Sequence, residues 1–160
     1  MNSPQGCLPA TGAPGENASS IDFLHALLQD GPLDRRMRIR IALYLAQRGR
    51  SAFRPDSLRD CGRDAGMNGA EIAANRQGSS HDAKGDACLL FVKALLDDPQ
   101  APTLGDIERM RHAGYRQEDV ADVMVNVGIN IVLSGLARLI DAPGNMMHCG
   151  QANSLRPDAA

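Results

Sequence analysis

Between residues 20 and 143 apolar side chains recur at three- and four-residue intervals, in runs separated by residues that start or stop helices. Ser19 and Asp22 form a capping box ahead of Phe23, Leu24, Leu27 and Leu28, and Gly31-Pro32 ends that segment. The next run, Met37 to Gln47, is two-faced. Met37, Ile39, Ile41, Leu43 and Leu45 alternate with Arg38, Arg40, Ala42, Tyr44 and Ala46 as a strand would. Its Leu, Ala, Arg and Met content favours a helix, Met37, Ile41, Tyr44 and Leu45 share one helical face, and the chain offers no second strand-like run to pair with it.

The remaining punctuation is explicit. Pro55 suits a first helical turn, with residues 56 to 65 following and Gly66 as the stop. Asn68 stands three residues before Glu71 and caps a brief helix through Arg76, and Ser80 is placed to cap a helix to about Leu96. That helix presents Ala87, Leu90, Phe91, Ala94 and Leu95 as its apolar face. Thr103 and Asp106 open a further helix through Ile107 and Met110, which Gly114 closes. The last segment, roughly 117 to 140, is the most apolar and is expected to be the central packed helix. Gly128 and Gly135 share one face of it, where another helix can approach closely. The expected fold class is therefore all-α, with about six to seven helices. Residues 1–19, rich in Pro and Gly, read as a disordered arm, residues 20–143 as the helical domain and residues 144–160 as a flexible tail.

Composition narrows the function classes. The chain has 160 residues, 43% apolar and 22% charged but only 3% aromatic, with a formal net charge of −2. That is one ordinary domain without the basic excess of a general nucleic-acid binder. No uninterrupted apolar run approaches the roughly 20 residues of a membrane span, and the start lacks the layout of a signal peptide, so a cytoplasmic address is expected. Cys7, Cys61, Cys88 and Cys149 are scattered, with no CxxC pair and no zinc-like cluster, so no cofactor or metal is expected. His148 and Cys149 are adjacent but do not make a ligand set, and His25, His81 and His112 read as surface or capping residues. Nine arginines between Arg35 and Arg63 form the strongest charge feature. They could serve a small anionic ligand or phosphate, but base-stacking aromatics are too scarce to favour nucleic acid over a solvated face paired with acidic groups of a neighbouring subunit.

Three blocks, taken in order, resemble the alkylhydroperoxidase D-like and carboxymuconolactone decarboxylase family. They are Ala65-Gly66-Met67 through Glu71-Ile72-Ala73-Ala74; Arg76, Gly78, Ser80, Asp82, Lys84 and Ala87 leading to Phe91 and Ala94-Leu95; and Ala113-Gly114-Tyr115 leading to Asn126-Val127-Gly128-Ile129-Asn130, closed by Asp141 and Pro143. The resemblance implies an all-helical fold, homo-oligomeric assembly and, in active members, a CxxCxxxH element with a glutamate ahead of it. There a thiolate attacks peroxide, a second thiol resolves the product, and the glutamate and histidine relay protons.

Counting back from Gly66 places those positions at Ile39 for the glutamate, Ser51 and Arg54 for the cysteines and Leu58 for the histidine. All four chemical groups are replaced, and residues 36 to 60 hold no Cys, His or Glu. The resemblance thus implies a degenerate site in a non-catalytic or small-anion-binding homo-oligomer. Two enzymatic alternatives remain: a divergent thiol-dependent alkylhydroperoxidase using Cys61, which lies one turn beyond Leu58 beside Arg59 and Arg63, or a decarboxylase-like reaction on a small carboxylate held by Arg54.

Overall fold

The computed structural model describes residues 20–139, which fold as seven α-helices: α1 (Ser20–Asp30), α2 (Arg35–Gln47), α3 (Pro55–Asp64), α4 (Gly69–Arg76), α5 (Ala83–Asp97), α6 (Leu104–His112) and α7 (Gln117–Leu139). No strand occurs among the described residues, in keeping with the all-α expectation. The arm and the tail, with Cys7, His148 and Cys149, lie outside the described residues.

Most helix ends follow the capping residues read from the sequence. Pro55 occupies the first turn of α3, where its missing N–H leaves nothing unsatisfied. The Asn68 side chain accepts from Glu71 N at 2.8 Å, and Thr103 and Asp106 form a reciprocal capping box. Gly66 and Gly114 end their helices at φ 78° and 88°. One cap differs. Asp82, not Ser80, accepts from Gly85 N at 3.1 Å to start α5, while the Ser80 hydroxyl accepts from Asp82 N at 3.2 Å. A carboxylate at a helix N-terminus is favoured by the macrodipole as well as by the hydrogen bond, so the acid takes the cap.

The alternation in α2 has a helical explanation. Met37, Ile41, Tyr44 and Leu45 face a core made with Leu89 and Val92 of α5 and with Val123 and Val127 of α7. Ile39, Ala42 and Leu43 face a second core made with Leu58, Cys61, Met67, Ile72, Ile129 and Leu133. Two helical stripes on opposite faces, superposed, read as alternation. The helix therefore touches α1, α3, α4, α5 and α7 and is the central element.

That position had been expected for α7, which instead has one bare side. Ala121, Val125, Gly128, Val132, Gly135 and Leu139 are all exposed, and a methyl group built on either glycine would meet nothing within 4 Å. The two glycines do share a face, but among the described residues no element lies against it. By length and composition α7 is also long and apolar enough to cross a membrane, with a mean hydropathy of 1.7 over its most apolar window, 44% of which is buried in the protein. Asp122 and the buried Asn126, Asn130 and Ser134 interrupt the apolar residues of that helix and conceal this from a search for uninterrupted apolar runs. On α5, Leu90 is 47% exposed, and Cys88, Leu89 and Val92 take the buried positions alongside Phe91.

Candidate functional site

The C-terminal end of α1, the first turns of α2, the start of α3 and the middle of α7 enclose a cavity of about 310 Å³. Its walls are apolar: Leu28, Ile39, Ala42, Phe53 and Leu58. Asn126 and Asn130 supply the polar surface from α7, and Asp30, Arg35 and Arg38 stand at the edge. The volume is at the lower end of the roughly 300–1,000 Å³ of small-molecule sites.

Asn130 is fully buried and ties the cavity wall together. Its Oδ1 accepts from Ala52 N at 3.3 Å, pinning the segment between α2 and α3 to α7, and its Nδ2 donates to the Asn126 carbonyl at 3.1 Å and to Asn126 Oδ1 at 3.4 Å. Ser51 is buried behind this segment, and its hydroxyl accepts from Phe53 N at 3.1 Å. At the edge, Arg38 donates to the carbonyls of Gly31 and Leu33 and so closes the α1–α2 turn. Arg35 is exposed and has no carboxylate within ion-pair range among the described residues.

The positions marked by the family resemblance divide clearly. Ile39 and Leu58 meet in the cavity with Phe53, whereas Ser51 does not line it but is buried next to Ala52 in the chain segment that Asn130 pins. Arg54 does not join them: it is the exposed N-cap residue of α3, and Arg35 and Arg38 are the guanidinium groups at the cavity. Cys61 is 5% exposed, packed in the same core as Leu58, Met67 and Ile72. The neighbouring Arg59 has carboxylates of its own, Asp56 at 3.9 Å and Asp60 at 3.7 Å. Cys88 is completely buried, and that burial pushes its thiol up to about 12, against the opposing pull of Tyr115 and Arg40. Among the described residues no group of three His, Cys, Asp or Glu side chains could hold a metal ion.

Sequence reasoning missed a second, larger cavity of about 680 Å³, where the first turns of α2, α4, α5 and α7 converge. Its floor is a charge network. Glu71 accepts from Arg36 Nη2 at 2.6 Å and from Arg40 Nη2 at 2.9 Å, and Asp82 accepts from Arg40 Nη1 at 3.0 Å. Only 6% of the Arg40 side chain is exposed, and 12% of that of Glu71, whereas Asp82 is half exposed. Burial opposes charge on each of these groups, yet the hydrogen bonds outweigh it: Arg40 is held charged above its ordinary range, and Glu71 and Asp82 below theirs. Gly85 makes room for this, since a methyl group there would lie 2.7 Å from Arg40 Nη1. The ion pairs join α2 to α4 and to the start of α5, although the Nε atoms of Arg36 and Arg40 are buried without a hydrogen-bond partner among the described residues. One signal could have found it. Arg36 and Arg40 stand four apart on a helix whose other inner positions are apolar, which marks one guanidinium as buried and in need of an acid.

No known protein-family model matches the chain, and no curated protein or solved structure matches it.

Proposed function

We propose that the chain is a non-catalytic binding protein for a small amphipathic anion, built on a helical scaffold like that of the alkylhydroperoxidase D-like and carboxymuconolactone decarboxylase family but stripped of thiol chemistry. The observation that carries this reading is the cavity of about 310 Å³ with Ile39, Phe53 and Leu58 in its wall and, at its edge, Arg35, which has no carboxylate within ion-pair range among the described residues. An apolar body gains about 25 cal/mol for each Å² it removes from water there, and a carboxylate at the edge keeps most of its hydration while facing Arg35 and Arg38. Nothing at Ile39, Ser51 or Leu58 can act as a redox thiol or carry a proton at neutral pH, and Cys61 is packed out of reach. We also propose that the protein associates with copies of itself along the bare stripe of α7, a reading supported by the alternating four- and three-residue spacing of its exposed small and apolar residues.

The test is thermal-shift and calorimetric titration with straight-chain and aromatic monocarboxylates. A ligand should stabilise the protein, Arg35→Ala should weaken it at least tenfold, and Arg54→Ala should leave it unchanged. Loss of binding in Arg54→Ala alone, or saturable peroxide turnover that Cys61→Ser abolishes, would overturn the reading.

A further inference from the structure

On the wall of that cavity the Asn126 side chain keeps one atom without a hydrogen-bond partner among the described residues, and the hydrogen bonds around it fix its sign. A backbone N–H can only donate, so the contact from Ala52 N at 3.3 Å makes the facing Asn130 atom its oxygen, Oδ1. The other end of the Asn130 amide is then Nδ2, a donor, and it reaches the Asn126 carbonyl at 3.1 Å and the Asn126 side chain at 3.4 Å. An amide nitrogen has no acceptor capacity, so the Asn126 atom turned toward it is oxygen. The Asn126 Nδ2 is what remains. It has no hydrogen-bond partner among the described residues, although Asn126 is only 5% exposed and lines the cavity.

We infer that Asn126 reads a hydrogen-bond acceptor on the ligand: the bound molecule is an oxo acid, with its carboxylate at Arg35 and its carbonyl oxygen toward Asn126, separated by an apolar stretch against Ile39, Phe53 and Leu58. Asn130 is the positioning residue, because it sets the sense of the Asn126 amide without itself offering a free donor. A ligand with an ammonium in the same place would set donor against donor and is disfavoured. A site built around a polar partner discriminates against an analogue that lacks it more sharply than an apolar wall discriminates by shape, because the unmatched buried group stays unpaired.

This inference rests on the proposed binding site, and the experiment separates the two. Hexanoate, 5-oxohexanoate and 6-aminohexanoate are titrated calorimetrically into the full chain and into Asn126→Leu and Asn126→Asp. The oxo acid should bind the wild type at least tenfold tighter than hexanoate, and the amino acid more weakly than either. Asn126→Leu should abolish the preference while retaining hexanoate, and Asn126→Asp should reverse it toward 6-aminohexanoate. Equal binding of the oxo and plain acids, or a preference that survives Asn126→Leu, overturns the inference and leaves the binding site standing. Failure of all three acids to bind overturns both.

Discussion

The charge network between α2, α4 and α5 predicts an asymmetry that simple pair counting does not. Glu71→Ala takes from Arg40, only 6% of whose side chain is exposed, the more buried of its two carboxylates, leaving the half-exposed Asp82, and also strips Arg36 of its partner; breaking a buried pair in this way costs about 3–4 kcal/mol. Arg40→Met removes the buried charge itself and keeps the volume of the stem. Glu71 then still has Arg36 at 2.6 Å, and Asp82, which is half exposed, rehydrates while continuing to cap α5 through Gly85 N. The expected cost is about 1–2 kcal/mol. With a urea slope of about 2 kcal/mol/M, Glu71→Ala should lower the denaturation midpoint by roughly 1.5–2 M and Arg40→Met by less than about 1 M. The pair Arg40→Met/Glu71→Leu, which removes both charges of the buried Arg40–Glu71 pair, should recover most of the loss and cost about 1 kcal/mol, far short of the roughly 4–6 kcal/mol to which the single costs would sum. The acid limb adds a check. Glu71 and Asp82 are held below their ordinary range, so the stability they contribute is present above the unfolded values of about 4 and is lost as pH falls through the folded ones. Wild type should therefore lose stability more steeply in acid than Arg40→Met. An Arg40→Met variant at least as unstable as Glu71→Ala would refute the reasoning.

Two further substitutions test packing. Gly78 has φ 79°, and a methyl group there would lie 2.8 Å from the Tyr44 ring, so Gly78→Ala should cost about 2–3 kcal/mol in a denaturant titration, with Tyr44→Leu relieving only the part due to the ring. Gly128 lies in open space on α7, so Gly128→Leu should raise the helix's intrinsic stability by about 1 kcal/mol yet dissociate any assembly formed through that stripe. Sedimentation and thermal unfolding across protein concentrations read the two effects separately, and unchanged assembly would discard α7 as the self-association surface.

Local signals were legible because they depend on neighbours in the chain. The caps at Asn68 and Thr103, the proline at the start of α3 and the glycine stops at Gly66 and Gly114 each satisfy backbone groups within a turn, and the structure has them where the sequence placed them. Relations between distant segments were not legible. The central place of α2 depends on its two apolar stripes finding separate cores, and apolarity alone pointed to α7 instead. Arg40 could be read as one of a stripe of arginines, but its acids, Glu71 and Asp82, come from two later segments of the same chain and not from a neighbouring subunit. Arg48 likewise finds Asp97 on α5.

The cavity shows how a site can be half visible in a sequence. Ile39 and Leu58 could be matched to each other through the resemblance, and the structure brings them to one wall. Arg54 followed from the same count but leaves the site: it is the exposed N-cap residue of α3, and its side chain makes no capping hydrogen bond. Asn126 and Asn130 carried the opposite difficulty. Four residues apart on an apolar helix, they are both directed inward, and only the bond from Ala52 N makes one a tether and the other a spare donor. A buried amide that is tethered on both sides adds order to a core, whereas one with a free donor facing a cavity adds selectivity only if something with a lone pair enters. On the proposed reading Asn130 serves the fold alone, whereas Asn126 accepts from Asn130 and turns its remaining donor to the ligand, although no feature of the residue type or its spacing distinguishes them.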